Sequence, residues 1–170
     1  HALGSGTTAK GVGGVRQQFS SAINIALSRR AVDYFAHFDE RVGGDIGYRQ
    51  HGFLFLIDND AHWDAFRANV ERQQAAGVPT DLLAPHDIES VMPGVSLDGL
   101  IGATYCRTDG SAVPAAVVAA FAREARAHGA RLLAGTALTG VERDVHGAVR
   151  AVQTTNGRLE TELLIDAAGP

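Results

Sequence analysis

Two hydroxyls and two cations stand close together near the start of the chain. Thr7, Thr8, Lys10 and Arg16 are spaced along Gly4-Ser5-Gly6-Thr7-Thr8-Ala9-Lys10-Gly11-Val12-Gly13-Gly14-Val15-Arg16. Five of the eleven residues from Gly4 to Gly14 are glycine. Backbone without Cβ atoms can take positive φ and let a planar or anionic ligand lie against its amides. The hydroxyls add donors, and the planar fork of Arg16 suits a carboxylate. The stretch therefore predicts a ligand-cradling loop that ends in a carboxylate-binding arginine. A flexible glycine-rich end is the simpler alternative. Val12, Val15 and Phe19 count against it, because linkers carry little apolar surface.

Gly4-Ser5-Gly6-Thr7-Thr8-Ala9 also fits the G-x-G-x-x-A spacing of dinucleotide-binding turns. That spacing has meaning only between a buried strand and the mouth of a helix. Here His1-Ala2-Leu3 precede it, and Gly11, Gly13 and Gly14 follow where the helix should run. The match is rejected as a turn of that kind.

The elements that must position these residues follow from spacing and turn chemistry. Ser20 or Ser21 caps a helix running to about Asp39, with Ile23, Leu27, Tyr34, Phe35 and Phe38 on its buried side. Tyr48 to Ile57 predicts a strand, with Gly52 as a bulge or close-approach point. A helix over 61–76 buries Trp63, Phe66 and Val70 and stops at Gly77. Asp81–Leu83 predicts a short strand, and Pro85 opens a short helix through Val91. Gly99–Cys106 predicts a strand closed by the Asp109-Gly110 turn. Ser111 caps a long helix to His128, with Pro114 in its first turn. Arg131–Leu133, Thr139–Arg143, Val149–Thr155 and Leu159–Thr161 predict strands, the last two joined at Asn156-Gly157. Leu163–Ala167, an unalternating apolar run, predicts a buried strand of a parallel sheet. Interleaved helices and strands give an α/β class with an antiparallel component in the middle.

The chain has 170 residues, 45% hydrophobic and 20% charged, which is a globular composition. A formal net charge of −4 gives no electrostatic reason to expect nucleic acid or an anionic membrane as partner. No apolar run approaches the ~20 residues of a membrane span, and no signal-peptide pattern is visible. The single Cys106 forms no internal disulfide and fits a reducing, cytoplasmic setting. The seven histidines lack metal-ligand spacing, so no zinc site is expected. Cys106 is predicted to be a small buried hydrophobe rather than a redox thiol. Asp109 is expected to be a turn former rather than a catalytic carboxylate. No residue is assigned a catalytic role.

Taken in order, Thr7-Thr8, Gly13-Gly14-Val15-Arg16-Gln17-Gln18-Phe19, the apolar strand after Gln50-His51-Gly52, Thr108-Asp109-Gly110 and Ala167-Ala168-Gly169-Pro170 suggest a family. The chain resembles the D-amino-acid-oxidase-like flavoproteins over essentially its whole length. Within them it is most similar to the β subunits of sarcosine oxidase and L-proline dehydrogenase. The resemblance implies FAD as cofactor, held by a partial Rossmann-like domain into which an α+β substrate domain on an antiparallel sheet is inserted. Its segments would be 1–45 (flavin loop and helix), 46–106 (substrate domain) and 107–170 (FAD-binding domain again). It also implies oxidation of the C–N bond of a small amino acid or secondary amine, of sarcosine, proline or glycine type, by hydride transfer to flavin.

Carried over by position, Thr7, Thr8, Lys10, Gly11, Gly13 and Gly14 would lie along the flavin and its phosphates. Arg16 would hold the substrate carboxylate. Val141 would meet the adenine through its backbone, and Ala168 and Gly169 would turn near the phosphates. His51 is a candidate for facing substrate, with a hydrogen-bonded structural histidine as the alternative. An arginine beside the flavin of monomeric sarcosine oxidases falls on Gly13, which favours the β-subunit-like branch. Other subunits of a hetero-oligomer are implied as partners. The family's first strand and its own G-x-G-x-x-G belong upstream of His1, and further substrate residues belong downstream of Pro170. The chain is thus expected to be an internal segment, inactive by itself. A non-catalytic interaction module without cofactor is the alternative.

Overall fold

A computed structural model describes residues 2–168 of the chain. The glycine-rich stretch makes one helical turn, α1 (Thr7–Lys10), then a two-residue strand, β1 (Gly14–Val15). Helix α2 (Ala22–Ala36) starts at Ser21, whose side chain accepts the Asn24 N–H. His37 interrupts it, and α3 (Phe38–Arg41) follows. Gly43 and Gly44, at φ +84° and +92°, end the helical segment.

The central unit is a three-stranded antiparallel sheet in the order β2–β4–β3, from β2 (Phe53–Ile57), β3 (Thr80–Leu83) and β4 (Gly102–Cys106). Helix α4 (Asp60–Ala75) is capped by Asn59, which accepts the His62 N–H at 2.9 Å. Helix α5 (Pro85–Val91) has proline in its first turn, where no N–H is needed. Phe53, Phe55 and Ile57 pair with Cys106, Thr104 and Gly102. Directly opposed residues share a face, so these six side positions make one surface. Phe66 of α4 packs on Phe55 at 5.4 Å between ring centroids. A Cβ at Gly102 would meet the Trp63 ring at 2.8 Å, so this glycine is where α4 can lie against the sheet.

After the sheet come β5 (Gly110–Ser111) and α6 (Pro114–Ala127). β5 pairs with β1 in antiparallel register, Gly14 with Ser111 and Val15 with Gly110. Phe38, Val42, Ile46, Ala112 and Ala120 form one buried cluster, and Ile25, Val78 and Cys106 form a second with Phe19 against it. A second three-stranded antiparallel sheet, β6 (Leu138–Arg143), β7 (Val149–Thr154) and β8 (Gly157–Glu160), follows. Its β7–β8 turn places Gly157 at φ +116°.

The interleaving of helices and strands is as the sequence predicts, and every strand pair among the described residues is antiparallel. Several expectations need correction. Leu163–Ala167 and Arg131–Leu133 are not strands, because no neighbouring strand among the described residues takes up their backbone groups. Leu163 and Ile165 are 72% and 76% exposed. Ser111 does not cap α6. It lies in β5, and the cap position falls on Val113 with no side-chain bond. The strand predicted from Tyr48 begins only at Phe53, and that predicted from Gly99 only at Gly102. On α2 the buried positions are Ile25, Ser28 and Val32, whereas Ile23 and Leu27 are exposed. Trp63 and Phe66 are half-buried rather than core.

Candidate functional site

Arg16 follows β1 directly and leans over the aromatic face of the central sheet. Its guanidinium carbon lies 5.0 Å from the Phe19 ring centroid, 5.1 Å from that of Phe55 and 5.9 Å from that of Phe53. Phe53 and Phe55 reach it together because they are two apart on one strand. Ion pairs among the described residues engage Arg41, Arg49, Arg67, Arg107, Arg150 and Arg158, but not Arg16. No hydrogen bond to a described residue uses its N–H groups. The aromatic rings attract the cation, a contact worth about 0.5–2 kcal/mol, and its donors meet no acid among the described residues. Arg16 lines a cleft of about 480 Å³ with Gly14, Val15 and Phe19 on one side and Leu27 and Phe35 of α2 on the other. Leu27 is 58% exposed and supplies apolar surface to the cleft rather than to the core.

The chain on either side of Arg16 is fixed by backbone contacts. Gly13 sits at φ +77°, and a Cβ there would lie 2.0 Å from the Ala112 carbonyl oxygen and 3.1 Å from Pro114 Cδ. The Gly13 carbonyl accepts the Ala112 N–H at 2.9 Å. An arginine at this position has no room on this backbone. On the other side, Gln17 and Gln18 are buried, and their amides run to a fully buried Asp109. The Phe19 carbonyl accepts Gln73 Nε2 of α4 at 3.0 Å.

A second cleft, of about 530 Å³, lies between α1 and α6. Thr8 and Gly11 line it with Val113, Pro114, Val118 and Arg126. Thr7, Thr8, Lys10 and Gly11 are all exposed, and Val12 is 96% exposed. An exposed run of glycines and hydroxyls beside an apolar cleft with Arg126 in its lining fits a long, partly planar ligand that carries anionic groups. Thr8 and Gly11 thus line this cleft and Gly14 and Arg16 the first, whereas Thr7, Lys10 and Gly13 line neither.

Other predicted residues stand apart from it. His51 is exposed and lines neither cleft, and its carbonyl faces the Tyr105 hydroxyl at 3.4 Å. Val141 lies 37% exposed on β6, and among the described residues no hydrogen bond joins the β6–β8 sheet to the glycine-rich stretch. Ala168 is exposed outside any strand, its N–H donated to Asp166 Oδ1 at 3.0 Å. Gly169 lies outside the described residues.

The buried polar hub around Asp109 was legible only as a turn. Gln17, Gln18, Thr104 and Thr108 carry no local spacing signal, because their partners are some 90 positions away in the chain. Cys106 belongs to the same hub, fully buried, 3.3 Å from the Thr108 hydroxyl. Burial first, and the Asp109 charge after it, push its thiol up, as suits a structural rather than a reactive cysteine.

The model of the DAO family, FAD dependent oxidoreductase, matches residues 1–170. Human mitochondrial sarcosine dehydrogenase is 30% identical over 174 residues, covering 98% of this chain and 19% of that protein. Glycine oxidase of Geobacillus kaustophilus is 27% identical, covering 98% of this chain and 45% of the enzyme. L-proline dehydrogenase from P. horikoshii superposes with a TM-score of 0.88 at 32% identity, over 96% of this chain and 43% of that one. The chain thus spans less than half of each of these relatives. The mixed α/β arrangement with antiparallel sheets is that of FAD-dependent oxidase domains. With the whole length matched, the chain belongs to the DAO family of FAD-dependent oxidoreductases.

Proposed function

We propose that this chain, as part of a longer protein, serves to oxidise the C–N bond of a small amino acid or secondary amine, of the sarcosine, proline or glycine type, with Arg16 gripping the substrate carboxylate. The observation that carries this reading is an arginine that lines a cleft, packs on three aromatic rings and has no acid of its own among the described residues. FAD, when bound, supplies the acceptor for the hydride that leaves the carbon bearing the nitrogen. Thr7, Thr8, Lys10, Gly11, Gly13 and Gly14 would hold it, through hydroxyls, one cation and uncovered backbone. Gripping the acid with a bidentate fork sets the direction of the α C–H as well as its distance, and such positioning lowers the barrier without any proton transfer by the chain. The Phe53–Phe55 wall keeps water from one face of the guanidinium and so strengthens its hold on an anion.

The same reading assigns segments 1–45 and 107–170 to cofactor binding and 46–106 to the substrate side. A cytoplasmic setting, other subunits as partners, and roles for His51, Val141, Ala168 and Gly169 belong to this proposal too. Anaerobic mixing of the FAD-loaded protein with sarcosine, proline or glycine is expected to bleach the flavin absorbance with at least one of them. Absence of bleaching with every small amino acid and secondary amine would contradict the reading.

A further inference from the structure

We propose that Asp109 is a positioning residue for the carboxylate-binding site, acting through Gln17 and Gln18 to hold Arg16 against its aromatic wall. This inference rests on the reading of Arg16 given above. Asp109 is fully buried, and three N–H donors converge on its carboxyl group. Oδ1 accepts the Gln17 backbone N–H at 2.8 Å and Gln17 Nε2 at 3.1 Å. Oδ2 accepts Gln18 Nε2 at 3.2 Å. The first of these donors belongs to the residue immediately after Arg16, so the point where the chain leaves Arg16 is tied to Asp109.

The wall is tied to the same residue. The Asp109 carbonyl accepts the Gly52 N–H at 2.8 Å, one position before Phe53. Gln18 Nε2 also donates to the Phe53 carbonyl at 2.8 Å, and Gln18 Oε1 accepts the Thr104 hydroxyl at 2.7 Å. Arg16 and the ring it leans on are therefore tied to one residue of a third segment, the chain after Arg16 through the Asp109 carboxylate and the start of the wall through its carbonyl and through Gln18.

The chemistry selects a carboxylate rather than an amide. A turn former at 109 could equally be asparagine. Here both oxygens face donors, and an asparagine would set its own NH₂ against one of them. Burying a carboxyl group among neutral amides, with no cation bonded to it among the described residues, is costly. A site whose geometry must be kept to a fraction of an ångström gives a reason to retain it.

The test uses the FAD-loaded protein, with acetate as a carboxylate probe. Acetate affinity and the ¹⁵N Nε–H resonance of Arg16 are measured in the wild type, Asp109→Asn, Arg16→Ala and the double variant, alongside flavin content and melting temperature. Asp109→Asn is expected to weaken acetate binding about tenfold, to shift and broaden the Arg16 resonance, and to add nothing in the Arg16→Ala background. An unshifted resonance, an affinity within twofold of wild type, or losses that simply multiply in the double variant would overturn the inference about Asp109. Loss of the resonance shape in Asp109→Asn combined with unchanged acetate affinity in Arg16→Ala would overturn the reading of Arg16 instead. Should Asp109→Asn fail to fold, Gln18→Met removes the donors to Oδ2 and to Phe53 together with the acceptor for Thr104, and leaves both Gln17 bonds to Asp109 in place. It is expected to move both readouts in the same direction by a smaller amount, and no movement would refute the proposal.

Discussion

Gly13→Ala is expected to destabilise the fold through the β1–β5 pairing that carries Arg16. The glycine has φ +77°, and the added Cβ would lie 2.0 Å from the Ala112 carbonyl oxygen. Left-handed backbone costs an alanine roughly 1–2 kcal/mol relative to glycine. The overlap is with backbone on one side and the Pro114 ring on the other, so neither can rotate away. Relief requires moving residues 13 and 112 apart, which stretches the 2.9 Å bond from the Ala112 N–H to the Gly13 carbonyl. A bond of that kind is worth about 0.5–1.5 kcal/mol. Together these give about 1.5–3.5 kcal/mol. At 2–4 °C per kcal/mol for a chain of this size, the melting temperature should fall by roughly 3–14 °C. Circular dichroism melts of Gly13→Ala against Gly11→Ala make the comparison. Gly11 has φ −80° and ψ 144°, extended backbone open to alanine, and an added Cβ would come no nearer than 3.6 Å to the Thr8 carbonyl oxygen, so its variant should stay within about 0.5 kcal/mol of wild type. If Gly13→Ala melts with the wild type, the close approach of residues 13 and 112 is wrong.

Two further outcomes follow from the same contacts. Burial pushes the Cys106 thiol and the Tyr48 hydroxyl up. Above roughly pH 8.5–10 the unfolded chain releases these protons while the folded one keeps them, so the unfolded state binds fewer and stability falls as pH rises. An alkaline denaturation series should show this, and Cys106 should resist alkylation until the chain is unfolded; rapid labelling of the native protein would contradict it. At the β6–β7 turn, Asp144 accepts the His146 and Ala148 N–H groups and pairs with Arg150, which holds its carboxyl below the usual range. Its contribution is present above roughly pH 3.9 and is lost as pH falls through the lowered folded value. Asp144→Ala should therefore loosen the hairpin at neutral pH, seen as faster amide exchange over 144–148, and should matter less in acid. Equal exchange in the two proteins at neutral pH would refute this.

Elements with local signals were legible in the sequence. Pro85 opens α5, Gly77 at φ +80° stops α4, and Asn156-Gly157 marks the β7–β8 turn. What depends on distant partners was not. Ser111 carries the residue type and spacing of a helix cap, yet it pairs with Gly14 across almost a hundred positions. Leu163–Ala167 has a strand's composition, but a strand forms only where a neighbour takes its hydrogen bonds. On α2, Leu27 matched a core-facing period and instead lines the cleft, since apolar residues at helical spacing do not distinguish a protein core from a ligand's surroundings. At the site, Arg16 and the glycines could be named from their types alone, whereas the aromatic wall and the Asp109 hub needed the fold.

The central claim, that one arginine binds the acid group of an amine substrate, is tested most directly by steady-state kinetics of Arg16→Ala in the FAD-loaded protein. Hydrogen bonds to charged groups are worth about 1.5–3 kcal/mol, so KM for the amino acid should rise roughly 10- to 100-fold, whereas the corresponding carboxamide should be handled alike by both proteins. An unchanged KM for the amino acid would contradict the account.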